Sequence, residues 1–365
     1  MNCEWSIVPY DRRLVRPIVT AHGVYQERRG FLLVVHDADG VVGLGDVAPL
    51  PGFSRETLEE VMARWLAIHE EVVRWTAPAT RQQLGAMSPT LERLTAGSPS
   101  LRFGLESALA DLASRRAGLS LGRWLRESAA NEVEVNALLV ADDPATLAGQ
   151  ARAAATSGFR TLKMKVAVGS VPHDLERVAA IREAVPGANL RIDANEGWTE
   201  SEAREAFPRL REFGLEFVEQ PLPVGEAALA RRLSTIFDVP LALDEEVNTS
   251  ADAMRLITER LCDGIVLKPM IVGGLLSSLS LAEAAQQAGV KVMFTSTWES
   301  DVGLAATLHL ACAVGSAATR RGACGLSTAG MIADGLVEPA LRISGGRLST
   351  AGQVGLGLQL SRPDA

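Results

Sequence analysis

The sequence predicts an α/β protein: a (β/α)8-type (modified TIM) barrel whose mouth is capped by an α+β domain built from the N-terminal residues and completed by the C-terminal tail. Three observations predict it. First, Lys165, Asp193, Glu219, Asp244 and Lys268 each close a short apolar stretch, as in Leu190-Arg191-Ile192-Asp193 and Ile265-Val266-Leu267-Lys268, at successive intervals of 28, 26, 25 and 24 residues. Each interval is one strand plus one helix, so the charges recur once per βα unit at the same strand end, the end where such barrels do chemistry. Second, 365 residues exceed one barrel and leave room for a second, smaller domain. Third, the first 128 or so residues do not follow that rhythm.

The expected division is therefore 1–128 for the capping domain, 129–339 for the barrel with the active site, and 340–365 for a tail returning to the capping domain. Two short strands across 34–45 are joined by Asp39-Gly40, a strong hairpin signal. Ala48-Pro49-Leu50-Pro51-Gly52-Phe53 is too rich in proline for a strand interior and reads as a loop, after which Ser54 is placed as the N-cap of a helix within 56–75. A second helix, about 99–116, carries Phe103, Leu105, Leu109 and Leu112 at helical spacing. The first barrel strand is expected over 132–138. Helices over 172–185, 201–213 and 275–288 stop at Pro186-Gly187, Gly214 and Gly289. Strand seven is read over 290–294 and a short strand eight over 322–325, followed by two more short strands around Gly345-Gly346.

Apolar residues make up 47% and charged residues 22% of the chain, the balance of a globular enzyme. A formal charge of −8 without a Lys/Arg cluster argues against a nucleic-acid partner; Arg28-Arg29 and Arg320-Arg321 read as solvated pairs. Cys3, Cys262, Cys312 and Cys324 show neither metal-ligand nor redox spacing and read as reduced, buried thiols of a cytoplasmic protein. No leader pattern opens the chain and no apolar run suits a membrane span. A small carboxylate is the expected partner, and a homo-oligomer is compatible with the composition.

A lone Asp or Lys after a strand is commonly a turn residue or helix cap. Five in register are different, because three uncompensated carboxylates at one narrow mouth would repel one another. Asp193, Glu219 and Asp244 form an all-oxygen set, which suits Mg2+, or Mn2+ in its place, rather than zinc. A dication there leaves positions for a substrate carboxylate, whose α-proton it acidifies. Lys163 and Lys165 both point inward only if Met164 points outward. That spacing fits one acid/base lysine, Lys165, and one that polarises the substrate carboxylate, Lys163, with Lys268 arriving from four strands away. A lysine's ordinary pKa of about 10.4 makes it a poor base, and a second ammonium and a dication are expected to lower it.

Lys163-Met164-Lys165, Asp193-Ala194-Asn195, Glu219-Gln220-Pro221, Asp244-Glu245 and Val266-Leu267-Lys268-Pro269 together resemble the enolase superfamily in its muconate-lactonizing-enzyme subgroup. The resemblance covers almost the whole chain. It implies an enediolate mechanism with lysine bases and Mg2+. It also implies supporting roles for Asn195 and Glu245 beside the metal. Glu246 is read with Glu245, and Asp174 as a first-turn helix acid.

Within the subgroup, the loop Ala48–Thr57, the segment Arg191–Thr199 and Ser296-Thr297-Trp298-Glu299-Ser300 look like those of o-succinylbenzoate synthases. The resemblance thus implies a dehydratase that converts 2-succinyl-6-hydroxy-2,4-cyclohexadiene-1-carboxylate to o-succinylbenzoate in menaquinone biosynthesis, with Phe53, Ser296, Thr297, Trp298 and Ser300 at the substrate. Trp298 stands where that family usually has an aliphatic residue. The alternatives are an N-acylamino-acid racemase, a dipeptide epimerase or a muconate-type cycloisomerase, and more remotely a non-catalytic metal-binding barrel. Against them, 290–300 hold no histidine, Cys324–Thr328 hold no acid for a substrate ammonium, and Ile271 stands where the racemases commonly carry arginine. His309 is read as a packing residue and Gly273-Gly274 as a turn that could also admit substrate.

Overall fold

A computed structural model describes residues 3–20, 23–314, 322–332, 335–350 and 352–361, so Arg320-Arg321 lie outside the described residues. The capping domain opens with strands β1 (Glu4–Thr20), β2 (Gly23–His36) and β3 (Val42–Val47), an antiparallel sheet in that order. The β2–β3 hairpin is the one that Asp39-Gly40 predicts, whereas β1 is not legible in the sequence because Arg12, Arg13 and Arg16 interrupt its apolar pattern. Helices α1 (Leu58–Val72), α2 (Arg81–Ala86), α3 (Ser88–Leu94), α4 (Pro99–Arg116) and α5 (Leu121–Leu125) follow. Thr57, not Ser54, caps α1, through a capping box with Glu60. Ser54 instead accepts from the backbone of Leu50 and tightens the proline-rich loop.

Helix α4 carries the expected Phe103, Leu105, Leu109 and Leu112 in the core, and it is buried on its polar sides as well. Gly45 and Gly104 permit this: a Cβ on Gly45 would lie 1.9 Å from the Gly104 carbonyl oxygen, so only glycine lets β3 and α4 approach so closely. Two buried acids on α4 reach other parts of the chain. Asp111 accepts from the backbone of Leu44 in β3 (2.9 Å) and of Leu356 in the tail (2.7 Å). Glu106 accepts from the backbone of Leu276 (3.0 Å) in a barrel helix.

The barrel begins differently from expectation. The stretch 132–138 is not one strand: β4 (Glu132–Glu134) pairs with the tail, and β5 (Ala137–Leu139) enters the barrel sheet. Then helix and strand alternate: α6 (Pro144–Thr156), β6 (Thr161–Lys165), α7 (Val171–Ala184), β7 (Asn189–Asp193), α8 (Glu200–Leu210), β8 (Phe217–Glu219), α9 (Ala227–Phe237), β9 (Leu241–Leu243), α10 (Ser250–Thr258), β10 (Gly264–Leu267), α11 (Pro269–Val272), α12 (Leu275–Ala288), β11 (Lys291–Phe294) and α13 (Asp301–Val314). Strands β5 to β11 form a seven-stranded sheet in sequence order, and its described pairings are parallel.

The eighth position is narrower than a strand. Cys324 bridges Val135 and Gly325 bridges Thr295, both in parallel, and these two bridges close β11 onto β5. Gly325 lets this segment pass close to the end of β11, since a Cβ there would meet the Thr295 hydroxyl at 2.6 Å. In the tail, β13 (Arg347–Ser349) pairs with β4, while β12 (Val337–Glu338) pairs with β14 (Gln359–Leu360). Gly355 bridges Ser120 and Arg115 donates to the Leu358 carbonyl, so the tail touches the α4–α5 region as well as the barrel. Among the described residues no helix is long and apolar enough to cross a membrane.

His309 on α13 is fully buried and accepts from the Gly122 backbone, and burial holds its pKa down at about 4. The unfolded chain takes up this proton as pH falls through about 6.5, the native state only near 4, so His309 makes stability fall with acidification across that window. His309→Gln removes the term. The stability difference between wild type and this variant, from urea melts, is expected to shift by about 3 kcal/mol in the variant's favour between pH 7 and 4. A constant difference would refute it.

Candidate active site

Parallel strands alternate inward and outward side chains, so residues two apart share a face. In this barrel the inward residues form two layers. The lower one holds Phe217, Ala242, Val266 and Met293, a small apolar cluster separate from the main core, with the Arg191 guanidinium 4.7 Å from the Phe217 ring centre. Two residues further along the strands stand Asp193, Glu219, Asp244, Lys268 and Thr295. Lys165 pairs in register with Asp193, and Asp193 with Glu219, which brings these three to one level. Met164 is buried on the outward side, between strand and helices, and Lys163 and Lys165 both face the cavity.

One cavity at the strand C-termini is lined by Lys163, Lys165, Asp193, Asn195, Glu219, Asp244, Glu245 and Lys268, together with Ser296, Thr297 and Trp298 and, from the capping loop, Phe53. Lys163 Nζ lies 2.8 Å from Asp193 and 2.7 Å from Glu219; Lys268 Nζ lies 2.7 Å from Asp244 and over the Phe53 ring at 5.7 Å. Lys165 has no hydrogen bond or ion pair among the described residues. It is the one lysine of the three in the cavity without such a partner.

The electrostatics follow from burial and crowding. Burial and the neighbouring Asp193 charge push the Glu219 pKa up to about 7, and burial with Asp244 pushes Glu245 up to about 8. Asp193 is held below the usual carboxylate range: burial works against this, but Lys163 and Lys165 outweigh it. Burial would also lower Lys163 and Lys268, yet the surrounding carboxylates raise both above the ordinary lysine value. The expected lowering invoked a dication, and without one the carboxylates govern. The reason is that the acids outnumber their close cations, and only a further positive charge on those acids would let a lysine deprotonate easily.

That donor set fits a hard divalent cation. Among the described residues no three acids or imidazoles are already gathered around one point, because Lys163 holds Asp193 and Glu219 while Lys268 holds Asp244. The excess of buried carboxylate favours a cation nonetheless, and Glu245 Oε2 is buried without a hydrogen-bond partner beside Asp244. Asp193, Glu219 and Asp244 would hold the ion. Asn195 donates to Glu245 (2.9 Å) and its backbone to Asp193 (3.0 Å), so both residues support the cluster from behind.

The sequence passed over Gln220, whose side-chain oxygen accepts from the backbones of Asp244 (3.2 Å) and Glu246 (3.3 Å) and ties the ends of β8 and β9 together. Its signal was available in Glu219-Gln220-Pro221. Ala167, Asn195, Glu196, Gln220 and Trp298 all have positive φ, and all follow barrel strands at this face. Backbone strain therefore concentrates around the cavity, as it does at functional sites.

Ser300 is a correction. It does not line the cavity; its amide and hydroxyl donate to Asp46 of β3 at 2.8 and 2.7 Å, because the residue lies on the side of its loop that faces the capping domain. Arg28 is another, for it is buried rather than solvated. Gly273-Gly274 face α4 rather than substrate, and a Cβ on Gly274 would strike Glu106 at 2.5 Å. Asp174 accepts from Ala167 and pairs with Arg177, and Glu246 accepts from Gly225.

Residues 146–365 match the family model described as enolase C-terminal domain-like, and residues 7–112 match the MenC N-terminal domain. The chain is a member of the enolase superfamily. It is 31% identical to the L-Lys-D/L-Arg epimerase of Methylococcus capsulatus over 94% of this chain and 95% of that protein. It is 28% identical to a chloromuconate cycloisomerase of a Pseudomonas species over 83% and 81% of the two chains. The solved structure of a dipeptide epimerase from Methylococcus capsulatus, complexed with Mg and the dipeptide L-Arg-D-Lys, superposes with a TM-score of 0.87 at 27% identity, covering 98% of this chain and 99% of that one.

Calorimetric titration with Mg2+ is expected to show one site that is lost in Asp193→Asn, Glu219→Gln and Asp244→Asn. Asn195→Ala should weaken it roughly 10- to 100-fold, the usual effect of removing a group behind a ligand. Unchanged affinity in any of the three carboxamide variants would remove that residue from the metal set.

Proposed function

We propose that this enzyme is a Mg2+-dependent dehydratase forming o-succinylbenzoate from 2-succinyl-6-hydroxy-2,4-cyclohexadiene-1-carboxylate. The observation that carries the choice is the cavity wall away from the metal set. Leu138, Leu50, Phe53, Trp298, Ser327 and Thr328 present apolar and neutral groups there, and among the described residues every acid that lines the cavity belongs to the cluster Asp193, Glu219, Asp244 and Glu245. A dipeptide would leave its ammonium without a carboxylate on that wall, whereas a cyclohexadiene ring finds aromatic and aliphatic surface. The MenC N-terminal domain match supports the same reading.

When bound, the divalent ion would acidify the α-proton of the substrate carboxylate. Lys165, free of ion pairs, takes that proton and returns it to the departing hydroxyl on the same face, so that water leaves and the ring becomes aromatic. Lys268, four strands away and held by Asp244, steadies the negative charge from the other side. Lys163 acts on the substrate carboxylate.

A second reading, epimerisation or cycloisomerisation by the same lysines, is favoured by the named relatives. Incubating the protein and Mg2+ with the cyclohexadiene substrate, N-acylamino acids and dipeptides in parallel separates the two. Faster turnover of a dipeptide or N-acylamino acid would replace the dehydratase with the isomerase.

Lys165→Ala and Lys268→Ala are each expected to cut turnover ~10²–10⁴-fold without unfolding the protein. Exchange of the α-proton of a non-eliminating analogue into deuterated water should vanish in Lys165→Ala. Exchange that persists there but is lost in Lys268→Arg would reverse the assignment of the base.

A further inference from the structure

Arg28 lies in β2 of the capping domain with 3% of its surface exposed, yet among the described residues it forms no ion pair. Its guanidinium is spent on backbone carbonyls. Nη1 donates to Pro49 at 2.8 Å and to Arg29 at 3.2 Å, Nη2 donates to Ala48, and Nε donates to Trp298 at 3.2 Å. Two of these acceptors belong to the proline-rich capping loop and one to the barrel loop after β11. Burying a cation is costly unless its donors are satisfied, so a solvated surface role does not account for this placement.

The two loops that Arg28 joins carry the aromatic wall of the cavity. Phe53 and Trp298 meet edge to face with ring centres 5.9 Å apart, and Tyr25 packs 5.7 Å from Trp298 while its hydroxyl donates to Pro51. Trp298 sits at φ +56, a conformation that a bulky residue adopts only when its surroundings hold it there. The Arg28 bond to its carbonyl is one such constraint, and the Asp46 grip on Ser300 two residues later is another. Arg28 itself does not line the cavity.

We propose that Arg28 is a positioning residue that clamps the capping loop to the barrel loop and so holds Phe53 and Trp298 closed over the substrate. Its effect falls on substrate retention rather than on proton transfer, because it touches neither the lysines nor the carboxylate cluster. The clamp would act alike in a dehydratase or an isomerase.

The test uses Arg28→Met and Arg28→Lys in the full-length protein with Mg2+, on whichever substrate the wild type turns over. Arg28→Met is expected to raise KM roughly 10- to 100-fold, the scale of one or two lost charge-assisted hydrogen bonds, while kcat changes less than about threefold. Arg28→Lys should recover part of the loss, and Mg2+ affinity should match wild type in both. Hydrogen–deuterium exchange supplies a readout independent of any substrate. The amides of Leu50, Phe53 and Ser54 and those of Thr297 and Ser300, all hydrogen-bonded, should speed up together in Arg28→Met, with the barrel strands unchanged. A collapse of kcat at constant KM, unaltered exchange, or loosening of only one loop would overturn the proposal. General loosening together with lost Mg2+ affinity would show an ordinary structural role and overturn it equally.

Discussion

The period-two alternation of the barrel strands is the constraint on which the site depends. It places Phe217, Ala242, Val266 and Met293 in one inward layer and Glu219, Asp244, Lys268 and Thr295 in the next, so the charged groups stand on an apolar floor. A register slip of one residue would turn every one of them outward among the surrounding helices. Between β8 and β9 the ladder pairs Glu219 with Ala242 rather than Asp244, the stagger a tilted barrel requires, and the parity of the inward face is kept. Directed chemistry at the mouth is therefore a by-product of strand geometry.

Crowding then sets the electrostatics. Buried acids at the mouth raise one another, and Lys163 and Lys268 offset part of that repulsion through short ion pairs. Asn195 and Gln220 hold the acids through side-chain amides that add no charge. A divalent cation would satisfy the same carboxylate oxygens that these ammoniums now meet.

The capping domain is attached by a few buried polar groups, each crossing from one part of the chain to another. Glu106 caps α12, Asp111 joins β3 to the tail, Asp46 holds Ser300, and Arg28 bridges two loops. These contacts are costly to leave unmet, which makes the relative placement of cap and barrel specific rather than merely sticky. The wall of the cavity made by Phe53 and Trp298 exists only because of that placement.

By itself the sequence determined the barrel, the helices between its strands and the gathering of Lys163, Lys165, Asp193, Glu219, Asp244 and Lys268 at one mouth, because each of these is expressed in spacing along the chain. Local patterns were misleading where partners are distant. The stretch 132–138 reads as one strand until β13 takes half of it, and the eighth strand is reduced to two bridges, to Val135 and to Thr295. Arg28, Asp46 and Glu106 carry no sequence signal, since a charged residue in a strand or helix looks solvated until its surroundings are known. Their partners lie 270, 254 and 170 residues away, at Trp298, Ser300 and Leu276. Periodicity encodes which face a residue takes, but only the folded chain decides what it meets there.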